Sequence, residues 1–170
     1  MSGSLRRLGL FALIVAVATT TGCSINGGGW LQSLYTGGKV TFALNGRVDN
    51  NTGAITGEGE LHDHDLKVDA HLSGQPITLT DDQAGTLVFN LSECLSVFNV
   101  NSGNPSILTG TYTPQPKKAG PGGTFFAVVF DAGKGGAGQG DFVFIEFFDG
   151  IYDGYLSCGY LQGGNIKVSP

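Results

Sequence analysis

The chain has 170 residues, 29 of them Gly, and its 14 acidic and 9 basic side chains give a formal charge of −5. Charged residues amount to 14%, about half the share in an ordinary soluble domain. Such a length fits one domain able to bury its own core. The acidic balance argues against nucleic acid as a partner, and glycines without a period of three exclude collagen.

Arg6 and Arg7 precede an apolar run from Leu8 to Ala18, followed by small residues up to Gly22. A basic start, a short apolar core and a small-residue cleavage zone make a secretory signal, expected as a helix removed after export. The run is shorter than the roughly 20 residues of a membrane span. Thr21-Gly22-Cys23 resembles a bacterial lipobox, although Thr20 stands where that signal usually has Leu. The resemblance implies a lipid-modified Cys23 and, through Ser24, sorting to the outer membrane of a two-membrane cell. The expected organisation is a signal over 1–22, a lipid-anchored tether over 23–28 and an all-β domain over 29–170. Loss of 1–22 removes two basic residues and no acid, leaving 7 basic against 14 acidic groups, formally −7. A diacyl anchor holds a protein to the membrane through its buried methylenes, without an amphipathic helix.

Beyond Cys23 only Cys94 and Cys158 remain. An even pair in an exported chain is expected as a disulfide, and neither has a basic neighbour to activate a thiolate.

Lys39–Val48 alternates Val40, Phe42, Leu44 and Val48 against Lys39, Thr41, Asn45 and Arg47, the period of a half-buried strand. A turn cluster at 49–53 leads to a second strand, Ala54–His62, with Ile55 and Leu61 opposed to Glu58, Glu60 and His62. Leu66–Leu72 gives a third, and the three read as an antiparallel meander with one wet face. Further strands are expected at Ile77–Leu79, Thr86–Leu91, Leu95–Val100 and Ser106–Tyr112, with a Pro- and Gly-rich loop over Pro114–Gly123. Thr124–Phe130 and Asp141–Phe148 hold seven of the 11 Phe residues and are apolar on both parities. Strands of this kind are covered on both faces, which makes them the expected central pair. Shorter strands at Gly154–Leu161 and Asn165–Val168 close the chain, and no amphipathic helix is expected after residue 22. Eight to ten short strands predict an antiparallel β-sandwich or a closed or partly closed β-barrel, with the sandwich preferred.

Gly27–Trp30, Gly38–Phe42, Gly59–His64, Ser102–Asn104 with Leu108–Gly110, Phe125–Asp131 with Gly138–Asp141, and Gly163–Val168 follow one another in an order that resembles the post-COAP family of bacterial extracellular domains. The resemblance spans about residues 27–168. It implies an all-β surface module without an established catalytic role, and it carries over no functional residue.

Three sets of residues carry chemistry worth testing. His62 and His64, with His71 on the next strand, are imidazoles at a spacing that suits Zn²⁺ if His62 and His64 lie on one extended strand; the family's Asp-His pair there implies a structural hydrogen bond instead. Asp131 and Asp141 bracket a Gly-rich loop of the kind that holds Ca²⁺, though the spacing fits neither an EF-hand nor a calcium repeat. Trp30, Tyr152, Tyr155 and Tyr160, with Tyr35, are aromatic residues that suit sugar or protein contact. The three His all fall between residues 62 and 71, and no Gly-x-Ser-x-Gly elbow is present. The expected function is thus a non-enzymatic envelope module with a protein or glycan partner and no obligatory cofactor, with a Ca²⁺- or Zn²⁺-dependent binding domain as the alternative.

Overall fold

The computed structural model describes residues 24–49, 54–100, 103–116, 120–133 and 140–170. The signal segment and Cys23 lie outside the described residues. Eight strands close into an antiparallel up-and-down barrel in chain order, with β1 paired to β8. They are β1 (Ser24–Gln32), β2 (Lys39–Val48), β3 (Ile55–Asp63), β4 (Val68–Gly74), β5 (Asn104–Pro114), β6 (Gly123–Asp131), β7 (Phe142–Phe148) and β8 (Leu156–Ser169). The barrel replaces the preferred sandwich. Closure removes both sheet edges, and eight strands enclose a space that side chains alone can fill.

The alternation read in β2 and β3 is the inside–outside pattern of this barrel. Val40, Phe42, Leu44 and Leu61 lie in the interior with Leu72, Leu108, Tyr112, Phe125 and Phe147 from other strands and Tyr155 from the segment before β8, while Asn45, Arg47, Glu58 and Glu60 are exposed. An apolar inside with a charged outside reverses the pattern of barrels that span membranes. Glycine supplies the fit between facing walls: a Cβ on Gly46 of β2 would stand 2.7 Å from Leu108 Cδ1, across the barrel on β5.

Two expectations fail at the first strand and in the middle of the chain. Ser24–Gly28 is no tether, because β1 begins at Ser24, which pairs with Arg47 of β2 and Ser169 of β8. Its three consecutive glycines look like linker composition, but they allow close backbone approach: a Cβ on Gly27 would meet the Asn165 carbonyl oxygen of β8. The strands expected at Thr86–Leu91 and Leu95–Val100 are instead helix α1 (Asp81–Val97) with its exit turn, and Ile77–Leu79 is an unpaired connector. Thr80 caps the helix by accepting from the Gln83 amide, and the Gln83 side chain accepts from the Thr80 amide. This capping box satisfies two donors that would otherwise lack partners, and Asp81 and Asp82 complement the helix dipole.

The helix lies across the outside of the wall that sequence marks as apolar on both parities. Leu87, Leu91 and Cys94 form a second core with Phe126 and Val128 of β6, Phe142, Phe144 and Phe148 of β7, and Cys158 of β8. The helix runs antiparallel to β7: Gln83 reaches Asp149 just beyond that strand, and Phe98 packs on Phe142 at its start, ring centres 5.6 Å apart. The expected double cover of β6 and β7 is present, with barrel interior on one face and α1 on the other. A Cys94–Cys158 disulfide, Cα atoms 6.4 Å apart, fastens the helix to β8.

Replacing both Cys94 and Cys158 by Ala should lower unfolding stability by about 2–4 kcal/mol, because the bridge restrains a long loop of the unfolded chain. Protease cleavage within 75–103 should accelerate in the variant, while the rest of the barrel stays resistant. Unchanged denaturant midpoints and cleavage rates would show that the helix is held without the bridge.

Candidate functional site

The two aspartates read as calcium ligands belong to the seam of the barrel. β8 pairs with β7 from Leu156 to Tyr160, and the Leu161 amide still donates to the Asp141 carbonyl; beyond that, among the described residues, its backbone has no strand partner on the β7 side. Asp141 Oδ2 accepts from the Ile166 amide at 2.8 Å, and Asp131 Oδ2 from the Val168 amide at 2.9 Å. Their other oxygens accept from Ala132 and Gly133. All four carboxylate oxygens therefore receive backbone donors, which supplies the missing rungs and shapes the start of the β6–β7 loop. Both side chains are buried, where such donors must find a partner.

The histidine string is divided. His62 lies on β3, its Nδ1 2.9 Å from Asp69 Oδ1 and its Nε2 3.6 Å from Glu60. His71 is on β4 opposite Glu60, but His64 sits in the exposed β3–β4 turn, so the extended geometry that would align His62 and His64 does not occur. Asp63 ends β3 and turns inward, accepting from the Asp65 and Leu66 amides and from the Tyr155 hydroxyl. Among the described residues no group of three or more His, Cys, Asp or Glu side chains forms a metal cage.

The aromatic set separates into three places. Tyr155 and Tyr152 close the interior near the ends of β3, β5 and β7. Phe147 lies 5.1 Å from Tyr155 and 4.5 Å from Tyr112 by ring centres, and the Tyr112 hydroxyl accepts from the Tyr152 amide. Burial pushes the Tyr155 hydroxyl well above its ordinary range, with Asp63 adding to the effect. Tyr160 packs outside against Phe98 and Phe142 and donates to the Phe98 carbonyl. Trp30 is half-buried on β1 with the Lys39 ammonium 5.0 Å from its ring centre. They form no common platform.

Glu146, which the sequence marks only as one more acid following the Asp131–Asp141 loop, lies outward on β7 beneath α1 and is 1% exposed. Asn90 donates to its Oε1 at 2.8 Å, and its Oε2 is buried with no hydrogen-bond partner among the described residues. Burial pushes the carboxyl up to about 7, against the opposing effect of the Asn90 bond. Nearby, Tyr35 of the β1–β2 loop donates to Glu93 of α1 at 3.3 Å, and burial followed by Glu93 raises its hydroxyl to about 12. Protonated Glu146 can act as a neutral donor, but it is sealed from solvent between helix and sheet.

Outside that seal, α1 presents Phe89 (68% exposed) and Val97 (56%). They stand four residues either side of Glu93, on one helical stripe. Leu34 and Tyr35 are exposed on the loop that reaches Glu93. Four of the six exposed large apolar side chains among the described residues thus belong to α1 and this loop; the others are Leu66 and Ile151. Comparison with family models, curated proteins and solved structures finds no match to this chain, so the post-COAP likeness rests on the motifs that carry it.

Asp141→Ala should cost about 2–4 kcal/mol by leaving two amides without acceptors, and calorimetry should give the same loss with EDTA and with millimolar Ca²⁺. A loss confined to the calcium-loaded protein would restore the metal reading. For Glu146, the native state keeps its proton between pH 4.5 and about 7 while the unfolded chain releases it. Stability should therefore fall as pH rises through that window, by roughly 3 kcal/mol at most, and level off above it. Glu146→Gln should flatten this fall; an unchanged pH profile would mean that Glu146 is ionised in the folded protein.

Proposed function

We propose that the protein is a non-enzymatic, lipid-anchored module of a bacterial cell envelope that holds a protein partner on the outer face of α1. The observation that carries this reading is the exposed stripe of Phe89 and Val97 beside Leu34 and Tyr35. Exposed apolar and aromatic side chains gathered on one face mark recognition surfaces, and here they stand on both sides of Glu93. The remaining distinctive groups have structural uses: among the described residues twenty buried, mostly apolar side chains make up the barrel interior, and Asp63, Asp131 and Asp141 satisfy backbone donors. A rigid barrel with a helix stapled to its wall suits presentation of a fixed surface. The lipobox-like Thr21-Gly22-Cys23 supports the anchor, and the post-COAP likeness supports a surface module over an enzyme.

A photo-crosslinking residue at position 89 or 97, introduced in cells making the full chain, should give one discrete adduct. The same residue at Asn45, on the polar wall, should give none. Phe89→Asp should abolish the adduct formed from position 97 yet change unfolding stability by no more than about 0.5 kcal/mol, as for an exposed site. Equal adducts from positions 45, 89 and 97, or none from any, would overturn the reading.

A further inference from the structure

Ser24 is already a rung of the barrel, paired with Arg47 on one side and Ser169 on the other. No free residue separates it from Cys23, the expected site of lipid attachment. The rim that holds Ser24 is made by the ends of β2, β4, β6 and β8 and the starts of β1, β3, β5 and β7. A chain anchored at Cys23 cannot lift this rim away from the headgroups, since each residue of linker would add at most about 3.5 Å and here none is available. Resting on the anchor proposed above, we infer that this rim is a bilayer-contact surface and that the barrel stands on the membrane with its β3–β4 turn pointing away.

The charge around the exit point fits such an occupant. Arg47 lies directly opposite Ser24, and Lys167 lies opposite Asn26, two residues further along β1. Both are exposed on the outer face, and among the described residues neither forms a salt bridge. In a mature chain of formal charge −7, two cations flank the strand that follows the lipid. The nearby carboxylates of Asp131 and Asp141 are turned inward and occupied by amides, and Asp49, two residues beyond Arg47, is an exposed acid at the same rim, set against the two cations. Cations at a membrane surface are drawn to lipid phosphates, and one lipid signal is strengthened by a basic patch. The surface is thus suited to the phosphate layer of a phospholipid bilayer, with Arg47 and Lys167 as its headgroup contacts.

The orientation separates the two ends of the barrel. Leu66, in the β3–β4 turn, is 55% exposed at the opposite rim. β1 alone runs for nine residues between the rims, about 30 Å along the strand and less along the tilted barrel axis. The exposed stripe of α1 lies along the side wall, so this standing posture leaves it open to a partner.

The test uses the full chain, exported and purified from membranes, with a single added cysteine at Asp49, at Asn104 or at Leu66. Acylation of Cys23 and the Cys94–Cys158 bridge leave the added thiol free for an environment-sensitive dye. Mass spectrometry of the N-terminal peptide reads the anchor directly. After reconstitution in phosphatidylethanolamine–phosphatidylglycerol vesicles bearing a headgroup nitroxide quencher, dye at Asp49→Cys and Asn104→Cys should be quenched and dye at Leu66→Cys should not. Arg47→Glu with Lys167→Glu should reduce quenching at position 49, and a flexible ten-residue insertion between Cys23 and Ser24 should reduce it further. An acylated Cys23 with equal quenching at positions 49, 104 and 66 would overturn the standing orientation and leave the anchor intact. An unmodified Cys23 would overturn both.

Discussion

The structure depends on closing the sheet at β8. Once β8 leaves β7 after Tyr160, the amides of Ile166 and Val168 still point toward the β7 side and need acceptors. Asp141 and Asp131 provide them, with side chains taking the place of a strand. A carboxylate bound by backbone donors makes stronger hydrogen bonds than a neutral carbonyl, so two residues hold a stretch that a regular ladder does not reach. The remainder of the fold follows from that seam. With the ring closed, Phe125, Phe147, Tyr112 and Tyr155 fill the interior from one side, and Gly46 on the facing wall leaves room for Leu108.

Closure also fixes what must happen outside. β6 and β7 turn Phe126, Val128, Phe142, Phe144 and Phe148 away from the interior, an apolar strip that water would not tolerate uncovered. The chain supplies α1 as its cover and fastens the cover through Cys94–Cys158. Glu146 is caught beneath that cover, with Asn90 donating to it. An ionised carboxylate there is costly, so its buried position sets a pH dependence on the fold without exposing a reactive group.

Much of the barrel was legible because period two is local. Val40, Phe42 and Leu44 declare their side of the sheet with no knowledge of its neighbours, and Phe142–Phe148 declares that both its faces are covered. What covers the outer face was harder to see. Leu87, Leu91, Cys94 and Leu95 do keep helical spacing, and Thr80 with Gln83 is a capping signature, but Thr86, Val88 and Phe89 carry strand-like composition. Phe89 and Val97 fall off the buried stripe, and their exposure blurred the period. The seam-closing roles of Asp131 and Asp141 and the buried contact of Glu146 depend on partners 37, 25 and 56 residues away in sequence, and the local bonds from Gly133 to Asp131 and from Ala132 to Asp141 give no hint of the seam. Ser24–Gly28 misled for a different reason: glycines that permit close strand contact have the same composition as glycines in a linker.

Amide hydrogen exchange at single-residue resolution tests the seam most directly. The Ile166 and Val168 amides should exchange as slowly as those of paired residues in the middle of β6 and β7, opening only with global unfolding. Exchange of these two amides at the rate of the exposed β3–β4 turn would contradict the account, since the carboxylates would then not be closing the barrel.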